Sequence, residues 1–221
     1  MTKGMLCVVA TPIGNLEDIT LRAVRVLKES DLIAAEDTRK TATLLSNYDI
    51  STPSTSYHSY NLKAKTPTLI TKLLNGQNIA LVSDSGTPGI SDPGSVLISE
   101  SIKKDITVTI IPGASAVISA LVVSGKPTNK FVFEGFLSNK KGRRQKQLEG
   151  LKDEKRTVII YESPHRIVKF LEDFLEVMGD KELVIARELT KKFEEIKRGE
   201  ASLLLDYFSN NKPRGEFVII F

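Results

Sequence analysis

The chain has 221 residues, 41% apolar and 26% charged, and a formal net charge of +4, a composition that excludes a disordered or low-complexity protein and allows one large core or two small ones. Its lone cysteine, Cys7, lies in the apolar run 5–10, which excludes an intrachain disulfide and a Cys-based zinc site and reads as a buried thiol in a reducing compartment. No run approaches the roughly 20 apolar residues of a membrane span and the N-terminus lacks a signal-peptide core, so a cytoplasmic protein is expected, its mild basicity permitting an anionic partner such as nucleic acid.

In chain order, β-rich runs at 6–10, 31–35, 78–83 and 106–111 alternate with segments of helical period, the pattern of an α/β domain. Ile19, Ala23, Val26 and Leu27 share one helical face, and Ala114, Val117, Ile118, Leu121 and Val122 form a second stripe expected to face a core. After Gly125-Lys126-Pro127, runs at 131–136, 157–161, 182–186 and 216–221 imply a second sheet. Its best helix covers 164–178, with Gly179 as C-terminal stop. A boundary between Leu121 and Lys130 divides the chain into domains 1–121 and 122–221.

Four loops follow strands and carry special residues: TPIGNLEDIT (11–20), SDSGTPGISDPG (83–94), PGASA (112–116) and ESPHR (162–166). In open α/β sheets ligands bind at the carboxyl ends of strands, so these loops are placed for binding, although each alone also reads as a plain connection. Neither a G-x-G-x-x-G nor a G-x-x-x-x-G-K-[ST] motif occurs, which disfavours NAD and ATP sites of the familiar kinds. Asp92-Pro93 reads as a helix start with Asp92 as N-cap, which leaves Asp84 to Ser91 as the ligand-facing part of the second loop; the cofactor-binding positions expected in these two loops are Pro12, Asp84, Gly86, Thr87, Pro88 and Ile90. Ser115 stands near the first turn of a helix, where either an anion or close packing would suit the small residues. In ESPHR, Ser163-Pro164 likewise reads as a helix start. His58, in SYHSYN, is open to a substrate contact, a base, or simple solvation. No His and carboxylate spacing supports a metal. Five cations, Lys140, Lys141, Arg143, Arg144 and Lys146, crowd seven residues without an acid, which suggests contact with an RNA backbone or else a solvated surface.

The blocks VATPIGNLEDIT, AAEDTR, LVSDSGTPGISDPG, IPGASA, FEGFL, YESPHR and ARELTK, in this order from about Met5 to Phe221, resemble the small-subunit ribosomal RNA methyltransferase I family of the tetrapyrrole methylase superfamily. The resemblance implies a two-domain α/β fold, each domain a mixed sheet flanked by helices, with S-adenosyl-L-methionine in the cleft between them. It also implies a homodimer, no metal, and 2′-O-methylation of a cytidine ribose in the decoding region of 16S ribosomal RNA within the 30S subunit. By motif, Asp84 matches the aspartate of a Gly-Asp-Pro loop, although Ser83 stands where glycine is usual and the loop is longer. Ile90 matches the apolar residue that touches the cofactor, Ser115 and Ala116 the small pair after a Pro-Gly turn, and Tyr161, Ala186 and Gly215 the remaining cleft-lining strands. A ribose hydroxyl is a weak acid, so a base or a cation near the alkoxide would help; Glu36, Arg39, His58, Glu188 and Lys191 are the candidates, unranked. Many members continue into a basic helical extension whereas this sequence ends at Phe221, so cofactor binding is the firmer expectation and the grip on RNA the weaker one. The alternatives are a small-molecule methylase of the corrin or porphyrin type and a non-catalytic RNA-binding relative.

Overall fold

A computed structural model describes residues 2–221, which divide into two compact units, 2–115 and 116–221. The first unit contains β1 (Met5–Val9), α1 (Leu21–Glu29), β2 (Leu32–Ala35), α2 (Thr38–Asn47), β3 (Ser54–Ser56), α3 (Leu62–Leu74), β4 (Ile79–Val82), α4 (Gly94–Lys103) and β5 (Thr107–Ile111). Its strands lie in the order β3-β2-β4-β1-β5, every pair parallel. Parallel neighbours need helical crossovers, and these cover both faces, which is why the inner strands read as continuous apolar runs. Cys7, Val9, Ile33, Ala35, Ala80 and Val82 pack with Ala23 and Leu27 of α1. Leu6, Ala34, Ile79 and Leu81 turn the other way, onto Leu69 and Leu73 of α3 and Leu97 of α4. Thr20 caps α1, its hydroxyl accepting the Ala23 N–H at 3.0 Å.

The second unit contains α5 (Ala116–Ser124), β6 (Phe131–Phe136), α6 (Lys141–Gly150), β7 (Thr157–Glu162), α7 (Ile167–Met178), β8 (Glu182–Arg187), β9 (Glu195–Glu200), α8 (Ala201–Asn210) and β10 (Phe217–Ile220). Its sheet, β6-β7-β10-β8-β9, is parallel between β6 and β7 and antiparallel elsewhere, so only this second sheet is mixed. One face buries Ile160, Ile185, Phe217 and Ile219 under Phe170, Leu171 and Phe174 of α7 and Leu204 and Phe208 of α8. Helix α5 packs on β10 and β8.

The division at Ser115 falls ahead of the boundary read from the sequence at 121/122, because α5 lies on the second sheet before the Gly125-Pro127 punctuation is reached. The apolar stripe of α5 is also corrected: Val117 and Leu121 are buried, but Ile118 and Val122 are exposed. Helix α7 starts at Ile167, three residues later than its sequence signal, after a turn in which the Ser163 carbonyl accepts the Arg166 and Ile167 N–H groups at 3.0 and 3.1 Å. Gly179 ends it with φ 76°. Among the described residues no helix is long and apolar enough to cross a membrane.

Candidate active site

The carboxyl ends of β1, β4 and β5 carry the loops 11–20, 83–94 and 112–116, and backbone bonds join them. Thr11 and Gly86 exchange N–H···O bonds of 2.9 and 3.1 Å. Ser83, buried where β4 ends, donates its hydroxyl to the Ser85 and Gly86 carbonyls at 3.3 Å, and the Thr87 hydroxyl donates to the Ala114 carbonyl at 3.4 Å. Gly86 has φ 77°, and a Cβ there would stand 3.3 Å from Ile13 Cγ2, so this glycine serves both the turn and a close approach between loops. Beyond it the chain turns at Gly89, φ 91°, and Ser91, φ 59°. Asp92 holds that turn: its carboxylate accepts the Gly89 N–H at 2.8 Å and the Gly94 N–H at 2.6 Å, although α4 begins one residue later than expected, with Pro93 in the N-cap position.

This geometry sorts the predicted ligand positions. Ile90 is 48% exposed, Pro12, Asp84 and Thr87 are half-buried, and Ser115 and Ala116 are half-buried where α5 begins. Gly86 and Pro88 are buried and shape the loop.

Asp84 does not stand free. One carboxylate oxygen accepts the Asp37 N–H at 2.9 Å and the other pairs with Lys40 Nζ at 2.7 Å, while the Asp84 N–H donates to Glu36 Oε2 at 3.2 Å. Each of the loops after β2 and β4 thus offers a carboxylate to the other's backbone. Burial pushes the Glu36 carboxyl up, the Asp84 N–H acts against this, and the Asp84 charge adds to it. Arg39 grips Asp37 through Nε···Oδ1 at 3.1 Å and Nη2···Oδ2 at 2.7 Å, which holds the Asp37 carboxyl well below the usual range.

His58 is held within its own loop. Its backbone N–H donates to Asn61 Oδ1 at 2.9 Å, and Asn61 Nδ2 lies 3.3 Å from His58 Nε2. Nδ1 is buried and has no hydrogen-bond partner.

In the second unit, Glu188 takes a left-handed conformation, φ 51°, and lays its side chain over Gly215, itself at φ 86°. Its Oε1 accepts Lys191 Nζ at 2.7 Å and the Glu216 N–H at 3.0 Å, and Lys191 also pairs with Glu216 Oε2 at 2.9 Å. Burial pushes Glu188 up but the Lys191 ammonium and the Glu216 N–H outweigh it, leaving the carboxyl below its ordinary range. Burial likewise pulls Lys191 down, and its two carboxylate partners reverse this and raise it. Lys191 is therefore a cation and not a base. A Cβ at Gly215 would overlap the Glu188 carboxylate, so this glycine admits a side chain of the protein itself where a cofactor contact was expected.

Tyr161 on β7 lies against Phe133 and Phe136, with centroids 4.8 and 5.5 Å away. Burial pushes its hydroxyl up to about 12, partly offset by the Val117 N–H in the first turn of α5. Ala186 is fully buried on β8, paired with Val218, and its expected side-chain contact with a ligand is corrected.

The basic run is helix α6, and its five cations differ. Lys140, Lys141, Arg143 and Lys146 lie towards solvent, Lys141 pairing with Glu176 at 3.1 Å. Arg144 is 3% exposed and pairs with the buried Asp173 through Nη2 at 2.5 Å and Nε at 2.6 Å, so its assignment to RNA is corrected to an internal tie between α6 and α7. Glu162, which the sequence reading passed over, is buried at the end of β7 with Arg166 Nε 3.1 Å away. Its signal was an acid closing an apolar strand four residues before an arginine.

Glycine turns, half-buried carboxylates and an exposed isoleucine at the carboxyl edge of a parallel sheet define a ligand-binding loop system. The model of the family described as Tetrapyrrole (Corrin/Porphyrin) Methylases matches residues 5–204. A uroporphyrin-III-C-methyltransferase from Thermus thermophilus shares the fold with TM-score 0.70 and 17% identity, over 99% of this chain and 94% of that one. A diphthine synthase does so with TM-score 0.76 and 15% identity, over 98% and 88%. Much nearer in sequence is "Ribosomal RNA small subunit methyltransferase I" of a Synechocystis species, 52% identical over 98% of this chain and 78% of that protein. The protein of the same name from Thermotoga maritima is 48% identical over 98% and 97%. The chain belongs to the ribosomal RNA small subunit methyltransferase I family, within the tetrapyrrole methylases.

The methyl donor of this family is S-adenosyl-L-methionine. The first unit's loops present groups of the kinds such a molecule needs: the exposed apolar side chain of Ile90, the Asp84 carboxylate and the Thr87 hydroxyl. Among the described residues no three His, Cys, Asp or Glu side chains are grouped to hold a metal ion.

Proposed function

We propose that this protein transfers a methyl group from S-adenosyl-L-methionine to the ribose 2′-hydroxyl of a cytidine in the decoding region of 16S ribosomal RNA. The observation that carries the reading is the near-full-length identity, 45 to 52%, with proteins named ribosomal RNA small subunit methyltransferase I. The exposed cations of α6, Lys140, Lys141, Arg143 and Lys146, support an anionic partner.

The bound sulfonium supplies an electrophilic methyl, so the chain's task is to hold the acceptor oxygen in line with it and to manage the departing proton. We assign Glu36 as proton acceptor: burial raises its carboxyl above its ordinary value, whereas Glu188 is held below its own by Lys191. Arg39, with its side chain 89% exposed, is the cation suited to steady a developing alkoxide. Asp84 and Ile90 hold the cofactor from the first unit. The reading includes a homodimer working in the cytoplasm, checked by sedimentation.

The test is methyl transfer from labelled S-adenosyl-L-methionine to 30S subunits of a strain lacking the modification, with the product nucleotide mapped. Label at a cytidine ribose is expected. Label on a base, or transfer to a porphyrin-type acceptor alone, refutes it.

A further inference from the structure

Tyr60 stands just beyond the carboxyl end of the edge strand β3, with 97% of its surface exposed. A ring so fully exposed presents its π-face and its hydroxyl to any partner that docks on this edge. The loop that carries it is fixed on both sides. Before it, Tyr57 is buried, with its hydroxyl 2.9 Å from that of Thr66. After it, Asn61 holds the His58 N–H at 2.9 Å and reaches the Ser56 carbonyl and hydroxyl at 3.2 Å. Between these anchors the ring is held outward, touched edgewise by the His58 imidazole at a centroid distance of 6.1 Å and 64° between planes.

The surroundings say what would cover it. The Tyr57 N–H donates to the Ala35 carbonyl at 2.7 Å, which sets this loop beside the segment Glu36–Lys40. The exposed Lys63 adds positive charge to the same edge, and Arg39, its side chain 89% exposed, stands there with one face of its guanidinium paired to Asp37. A rigid, outward aromatic ring among cations suits a flat π-face linked to phosphates, which is the chemistry of an unpaired nucleobase in single-stranded RNA. A paired base in a duplex offers no such face. We infer that Tyr60 is a stacking platform for an unpaired base of the RNA substrate. The inference rests on the ribosomal RNA reading and adds where the strand is gripped: at the carboxyl edge of the first sheet.

The test compares wild type, Tyr60→Phe and Tyr60→Ala for binding of a labelled single-stranded RNA of decoding-region sequence, with S-adenosyl-L-methionine affinity and molecular mass measured on each. Tyr60→Ala is expected to weaken RNA binding by about 5- to 150-fold, the range of one base–aromatic stack, and Tyr60→Phe to restore it, with cofactor affinity unchanged in both. RNA affinity unchanged in Tyr60→Ala, or lost only together with a fall to monomer mass, overturns the platform and leaves the methyltransferase reading intact. A wild type that neither binds the RNA nor methylates 30S subunits overturns that reading, and the platform with it.

Discussion

Replacing Arg144 by alanine removes two charge-assisted bonds to Asp173, at 2.5 and 2.6 Å, from a site where both residues are almost wholly buried. What stays near Asp173 is weaker: Gln145 Nε2 at 3.2 Å and Lys141 Nζ at 3.8 Å, the latter on a mostly exposed side chain. Charge-assisted bonds contribute about 1.5 to 3 kcal/mol each, and an uncompensated buried carboxylate typically costs about 3 to 5 kcal/mol, so a loss near 4 kcal/mol is expected. The neighbouring Arg143→Ala, on the exposed side of the same helix, is expected within about 0.5 kcal/mol of wild type. Urea unfolding followed by circular dichroism reads both. The joint replacement Arg144→Met with Asp173→Leu should regain most of the loss, because no charge is then stranded. RNA binding supplies the complementary reading: Arg143→Ala should lower the slope of log affinity against log salt by about 1, whereas Arg144→Ala should leave the slope alone. A stability of Arg144→Ala within 1 kcal/mol of wild type, at unchanged denaturant slope, would refute the buried-pair argument.

Asp84→Ala should weaken S-adenosyl-L-methionine binding by about 1.5 to 3 kcal/mol, while Asp92→Ala, which frees the Gly89 and Gly94 N–H groups, should chiefly lower urea stability by about 1 to 2 kcal/mol. Equal effects on both properties would remove the distinction between them. Glu36→Gln should lower methyl transfer by about 100-fold and flatten the acid limb of its pH profile, which in wild type should lie above the ordinary carboxylate range because burial raises this group; an unaltered profile rules Glu36 out. Tyr161 has its folded value raised to about 12, so its contribution to stability is complete below the unfolded value near 10 and is lost as pH rises through 12. Between those limits wild type should lose about 3 kcal/mol relative to Tyr161→Phe, read by urea titration at each pH. Gly215→Ala should displace the Glu188 carboxylate and strain a left-handed residue, costing about 1 to 3 kcal/mol; a crystal structure with Glu188 unmoved would contradict this.

The strands buried on both faces were legible because continuous apolar runs such as Ile79–Val82 have few other homes, and the turn residues of 83–94 were legible because glycine and Asp-Pro carry their own geometry. What escaped lies at the edges. β3, of only three residues, has no apolar signal, and β9 is EIKRGE, a charged edge strand of the kind that discourages pairing with other chains. The face of α5 could not be read from AVISALVVS, since a helix apolar all round has no periodicity to choose its buried side. Arg144 looked like its neighbours in the basic run, yet it stands four residues before the buried Leu148, and Asp173 falls among Phe170, Leu171 and Phe174 at core spacing. An acid at a core position asks for an internal partner, and that was the available signal. The ties of Asp84 to Asp37, Lys40 and Glu36 cross more than 40 residues of sequence and follow only from the adjacency of β2 and β4.

Cys7 sits on β1, the strand flanked by β4 and β5 in the first sheet, and burial pushes its thiol up. Because no second cysteine occurs in the sequence, its alkylation under native conditions acts as a clock that ticks only when the first unit opens. The second unit is silent to the same reagent. Labelling rates measured with and without S-adenosyl-L-methionine would thus report how much the cofactor slows the breathing of one half of the molecule, with no probe introduced from outside.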